Sequence, residues 1–234
     1  MQLKVHEWGP AGAGKLAILV HGVMSSAGTW CRVAPLLVER GYHVLAPDLR
    51  GHGDSAHAGS YRGEDFAADV VESLPAGADI VIGHSLGGRT LALAVDELRP
   101  ARAVYSDPAW LLSGAKADVE MMAGFAHATK TATAEQIAQA NPRWAPEDVA
   151  AELEGFAAWD LKVMEGVGAF GDLDLKPPAV PSLVQAADPS FLVSREYGRQ
   201  LEELGYQVTF VANTGHCVHR DDLDGFMTSL DGWI

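Results

Sequence analysis

Residues 79–88 read Asp79-Ile-Val-Ile-Gly83-His84-Ser85-Leu86-Gly87-Gly88. An apolar run ends in a glycine-flanked serine, and an apolar helical pattern, Leu86 to Leu98, follows. A serine between a buried strand and a helix sits on a sharp turn that lifts its hydroxyl clear of both. Small neighbours let strand and helix approach, a role that fits Gly83, Gly87 and Gly88. The structural alternative is a glycine-rich turn that only packs or binds phosphate. Neither G-x-G-x-x-G nor a P-loop lysine accompanies it.

Outward from this turn, other short apolar runs alternate with helical patterns. They are Leu16–Val20, His43–Ala46, Ala103–Tyr105, Ser182–Val184 and Gln207–Ala212, with an edge strand within Leu3–Trp8. Runs without polar alternation suit strands buried on both faces, hence an α/β fold with a mostly parallel, doubly wound sheet of about seven strands. Helical stripes are expected at Trp30 to Arg40 before Gly41, Phe66 to Leu74 before Pro75, Leu192 to Leu204 before Gly205, and Leu223 to Leu230. From about Trp110 to Lys176 no strand pattern occurs. This Ala-rich stretch, with Met121, Met122, Phe125, Trp144, Phe156, Trp159, Met164 and Phe170, reads as a helical insert between two strands, because so long a structureless loop is implausible. Residues 1–109 and 177–234 then form the core, and 110–176 a helical lid.

Lys plus Arg number 17 against 31 Asp plus Glu, a formal charge of −14. That balance argues against nucleic acid, whose binding needs clustered cations, and against an anionic membrane surface. No apolar run is long enough to span a bilayer, and no signal-like stretch opens the chain. Cys31 and Cys217 form no framework, so a cytoplasmic setting is expected. A small-molecule substrate is the expected partner, for a monomer or homodimer.

A serine needs a base to become a nucleophile. His216, in Asn213-Thr-Gly-His216-Cys-Val-His219, lies just past the last strand, where α/β sites assemble. His219 competes, but falls in the next helical turn; the His-x-x-His spacing has no third metal ligand beside it. The base needs an acid to fix its tautomer. Asp188 and Asp107 each follow a strand and precede a proline, and each could be a turn or cap residue instead. Asp188 is favoured, because its strand neighbours the final one in sequence. His21-Gly22-Val23-Met24, after the strand ending at Val20, offers the Val23 N–H, which with the Leu86 N–H could hold a developing oxyanion.

Together, His21-Gly22, Asp48-Leu-Arg50-Gly51-His-Gly53-Asp-Ser55, Gly83-His-Ser85-Leu-Gly87-Gly88, Asp107-Pro108, Asp188 and Gly215-His216 resemble the α/β-hydrolase superfamily over nearly the whole chain. The resemblance implies a lid inserted after the family's sixth strand and a structural turn at Asp48–Ser55. It implies a serine hydrolase of a carboxylic ester, lactone or thioester, with Ser85, Asp188 and His216 catalytic and Val23 and Leu86 at the oxyanion. Met24, Trp110, Met121, Met122, Phe125 and Trp159 are expected at a mainly apolar substrate pocket. No metal or cofactor is implied. This chain departs from the family in having one N-terminal strand where many relatives have two, and a shortened segment before Asp188. The alternatives are a lyase, haloperoxidase or carbon–carbon hydrolase on the same fold, or a small-ligand receptor without turnover.

Overall fold

The computed structural model describes the backbone of residues 1–112 and 119–234, and the side chains of 1–112 and 124–234. Seven strands form one sheet: β1 (Val5–Trp8), β2 (Lys15–Val20), β3 (Tyr42–Pro47), β4 (Ile80–His84), β5 (Ala103–Ser106), β6 (Ser182–Asp188) and β7 (Gln207–Ala212). Their order is β1-β3-β2-β4-β5-β6-β7. Only β1, at the edge, runs antiparallel. The apolar runs become strands buried on both faces because each face receives alternate side chains. Ile18, Val20, Val81 and Val184 enter one core; Ala17, Leu19, Ile80 and Ile82 enter the other.

The first core is closed by α2 (Gly63–Ser73), α3 (Leu86–Leu98) and α8 (Arg195–Leu204), through Phe66, Leu91 and Leu201. The second is closed by α1 (Val33–Val38) and, at the C-terminal end, α10 (Leu223–Ser229), through Leu37, Phe226 and Leu230. Gly41 and Gly205 carry positive φ where the helical patterns stop, as expected of residues that release a helix into a left-handed cap. The α8 helix begins at Arg195, capped by the Ser194 side chain, so Leu192 precedes it.

Among the described residues, four helices lie between β5 and β6: α4 (Val119–Thr129), α5 (Ala134–Ala140), α6 (Pro146–Ala158) and α7 (Lys162–Gly168). Part of the stretch expected as a lid, 113–118, lies outside the described residues. The short α9 (Val218–Asp221) precedes α10. No helix among the described residues is long and apolar enough to cross a membrane.

The chain leaves β2 towards β3 and then returns past β2 to β4. The two strands that flank this reversal, β2 and β4, pair directly. Such a switch point opens a crevice at their carboxyl ends, and those ends carry His21-Gly22-Val23 and Ser85. Close packing there depends on glycine. A Cβ on Gly87 would collide with the Val20 carbonyl, and one on Gly83 with the Gly87 backbone. Gly87→Ala is expected to cost about 3 kcal/mol, the range of an unrelieved overpacking, read as a lowered urea midpoint. Gly12→Ala, with open space around its Cβ, should leave the midpoint unchanged.

Candidate active site

Ser85 sits between β4 and α3 with φ 52° and ψ −113°. A side chain is held in that left-handed region only when its surroundings over-determine it. The constraints are the β4 ladder, the first turn of α3, and bonds from Ser85 N–H to the Ser106 carbonyl and from Arg89 and Ala109 N–H to the Ser85 carbonyl. The Leu86 amide belongs to the first turn of α3, where N–H groups have no partner within the helix.

The turn after β2 faces this serine. A Cβ on Gly22 would meet His84 Nδ1 at 2.9 Å and Ser85 Cβ at 3.3 Å. Two buried histidines brace the turn, edge to face at 5.1 Å. His21 Nε2 accepts from Leu49 N–H at 2.9 Å, so Nδ1 carries the proton and donates to the Gly22 carbonyl at 2.7 Å. A trans peptide sets its N–H opposite its C=O. Anchoring the Gly22 carbonyl on His21 therefore turns the Val23 N–H away from it. His52 Nδ1 donates to the Arg50 carbonyl, and its Nε2 accepts the Met24 N–H at 3.2 Å. The Asp48–Ser55 segment has structural partners. Asp48 accepts from Ala27 and Asp54 N–H and from His6, and Arg50 forms a two-pronged pair with Asp69.

His216 lies in the loop between β7 and α9. Its Nδ1 is 2.7 Å from Asp107 Oδ2. A carboxylate only accepts, so the proton rests on Nδ1 and Nε2 is left as the basic nitrogen. His84 Nε2 donates to the His216 carbonyl at 2.9 Å, and the His216 ring lies against His84 and Phe191. His219 is in α9, buried, with its ring stacked on Trp30 at 4.4 Å and edge-on to His84 at 5.1 Å. Burial pushes the Cys217 thiol up to about 11, so it is no competing nucleophile at neutral pH.

The expectation for Asp188 is corrected: the acid that meets His216 is Asp107. Asp107 follows β5 with φ 41° and no exposed side-chain surface. Its Oδ1 accepts from Ala187 N–H and Ser190 Oγ, which aims Oδ2 at the imidazole. Asp188 is the last residue of β6, on the same pleat face as Val184 and Ala186, both in the core under α8. Its carboxylate is therefore directed to α8, where Arg195 takes it. The His216 loop instead runs towards the opposite face, where Val218 is buried.

Ser85 and His216 line two cavities, of about 520 and 490 Å³, together with Val23, Met24 and Phe125. Leu86 lines the second. Trp110 and Trp159 are corrected from pocket to core. Trp110 is fully buried against Tyr105 and Tyr206 and donates to the Gly88 carbonyl. Trp159 is buried and donates to Thr129 Oγ1. The Met121 and Met122 side chains lie outside the described residues. Sequence reading missed Glu152, Cys217, Arg220 and Phe191 as lining residues. Trp144, Phe156, Met164 and Phe170, which also line these cavities, carried a signal in the apolar content of 110–176.

The model of the alpha/beta hydrolase family matches residues 17–227. The chain belongs to that family. Among curated proteins it is 27% identical to N-formylmaleamate deformylase of Pseudomonas putida, over 95% of this chain and 90% of that protein. It is 40% identical to pyrethroid hydrolase of Sphingobium wenxiniae, over only 32% of this chain and 28% of that protein. Among solved structures, a bromoperoxidase from Bacillus anthracis superposes with TM-score 0.77 at 21% identity, over 98% of this chain and 94% of that one. A marine microorganism esterase gives 0.78 at 19%, over 100% and 99%.

Two predictions follow from this geometry. Asp107→Asn is expected to cost about 10⁴-fold in kcat, because the imidazole loses the carboxylate that fixes its tautomer. Asp188→Asn should keep turnover and shift only the melting temperature. Full activity in Asp107→Asn would refute the assignment. The second concerns acid stability. Burial lowers the pKa of His21, His84 and His219 below the usual 6.5, and that of His52 to about 3. The unfolded chain binds these protons below pH 6.5 while the fold does not, so stability is complete above pH 6.5 and lost on acidification. For His52 the window runs from 6.5 to about 3, at about 1.4 kcal/mol per pH unit. Thermal unfolding at pH 7.5 and pH 5 checks this; equal melting temperatures would contradict it.

Proposed function

We propose that this chain is a serine hydrolase that cleaves a carboxylic ester, lactone or thioester through Ser85, His216 and Asp107. The reading is carried by one observation: the acid-paired His216 shares a cavity wall with a serine held on a strained strand-to-helix turn. Ser85 Oγ attacks the carbonyl carbon while His216 Nε2 takes its proton. The oxyanion is held by the Val23 and Leu86 amides, the first turned by His21, the second at a helix N-terminus where the dipole favours negative charge. His216 then passes the proton to the leaving group, and water attacks the acyl-enzyme with His216 again as base. Asp107 stabilises the imidazolium throughout.

The lining of both cavities by α4, of one by α5 and α6, and of the other by α7 supports a lid role for the inserted helices. The cavity volumes and the largely apolar walls support a small to medium, mainly apolar substrate. Of the similar proteins, the deformylase and the esterase carry names that fit transfer of an acyl group to water, whereas the bromoperoxidase's does not. An N-formyl amide therefore joins short esters, lactones and thioesters in the test panel.

Ser85→Ala is expected to lower kcat by about 10⁴-fold or more with folding intact, and to abolish labelling by a fluorophosphonate probe. Undiminished turnover in that variant would refute the reading.

A further inference from the structure

The space around Ser85 is two unlike chambers that meet at the serine. One continues over Leu86, Leu112, Met164, Phe170 and Leu192, an almost wholly hydrocarbon wall. The other continues past Gln136, Asn141 and Trp144 to Glu152 and Arg220. These two charged residues come from α6 and α9 and meet at the chamber wall. Arg220 is buried, with Nη1 2.7 Å from Glu152 Oε2 and Nη2 2.9 Å from Cys217 Sγ. Its guanidinium lies 3.9 Å from the Trp144 ring centre, and its Nε is enclosed without a partner. Each terminal nitrogen thus makes one bond within the wall, Nε is enclosed, and one face is covered. Glu152, with 11% of its side chain exposed, gives Oε2 to Arg220 and keeps Oε1 as the acceptor edge of the pair. A buried ion pair adds little stability over a well-packed apolar replacement, so stability does not account for one at the wall of a cavity.

Resting on the hydrolase reading above, we propose that the substrate has two arms of opposite character. An apolar acyl arm lies over Leu86, Met164 and Phe170. A leaving arm ends in a hydrogen-bond donor, a hydroxyl or amide N–H, directed to Glu152 Oε1. His216 lines both chambers and can serve a leaving atom in either; the leaving arm is assigned to the polar chamber because that chamber offers it the Glu152 acceptor, which leaves the hydrocarbon chamber to the acyl arm. A carboxylate-ended arm is disfavoured: it meets the Glu152 carboxylate, while the unpartnered Arg220 Nε is enclosed.

The test compares kcat/KM of the purified protein for butyl hexanoate, 4-hydroxybutyl hexanoate and 3-carboxypropyl hexanoate. The hydroxyl-ended ester is expected to exceed the butyl ester about tenfold, the worth of one hydrogen bond to a charged acceptor, and the carboxylate-ended ester to be slowest. Glu152→Gln should raise the carboxylate-ended ester relative to the other two by about tenfold, by removing the like charge. The double variant Glu152→Leu/Arg220→Met, which replaces the pair by apolar groups, should invert the hydroxybutyl-to-butyl ratio. Equal rates for all three esters, or a preference for the carboxylate, in a protein whose Ser85 is labelled by a fluorophosphonate overturns this inference alone. An unchanged ratio in the folded double variant does the same. Should neither variant fold, the unmodified protein's ranking of the three esters decides. No labelling and no turnover overturns the hydrolase reading beneath it.

Discussion

Helix α3 begins so close to the ends of β2 and β4 that no side chain fits at Gly87 or Gly83. That approach lets one residue, Ser85, turn the chain from strand to helix within a single left-handed position. It also sets the first amides of α3 beside the turn that follows β2. A looser approach would separate the serine from the Val23 amide. The cost of a strained residue is met by the buried strands on either side, which cannot shift without opening both cores.

Around this turn the chain buries histidines in the neutral form and uses them as hydrogen-bonding braces. His21 holds the Gly22 peptide, His52 the Met24 amide, and His84 the carbonyl of His216. A neutral imidazole offers one donor and one acceptor in a rigid ring, which suits a site where two loops from different strands must be held in register. Burial lowers the pKa of all three, so each keeps that donor–acceptor pattern through the neutral range. His216 differs: it is partly exposed and faces a carboxylate, the setting in which a histidine can take and give a proton.

Much of this was legible in the sequence, because the signals were local. The apolar runs gave the strands, and the glycines around Ser85 gave the turn. His216 followed from its place after the last strand. The acid was not legible, since both Asp107 and Asp188 follow strands and precede prolines. What separates them is the direction of the pleat at the end of β6 and the hold of Ala187 N–H and Ser190 on Asp107. Both are tertiary facts with no local signature. Trp110 and Trp159 went wrong for a related reason. Large aromatics in an inserted segment can face the cavity or the body, and both found carbonyl or hydroxyl partners for their indole N–H in the core. That is how a buried tryptophan is usually satisfied.

The two-sided character of the cavity follows from which core each wall belongs to. Leu86, next after the serine, and Ala109, whose N–H bonds to the Ser85 carbonyl, continue the core under α2, α3 and α8. With Phe170 from beyond α7, they give an apolar wall. The opposite wall is built where α6 meets α9, and its charged pair belongs to neither apolar core. There a charged pair is enclosed by Trp144 rather than by strands. A site at the junction of a continuous core and a peripheral contact inherits one dry side and one polar side. Discrimination on the dry side comes from volume, worth about 1–3 kcal/mol per methylene, whereas a polar side can reject an unmatched group more sharply by leaving its own charge unpaired. On the proposed hydrolase reading, selectivity among substrates of similar size should therefore lie mainly with the wall carrying Glu152 and Arg220.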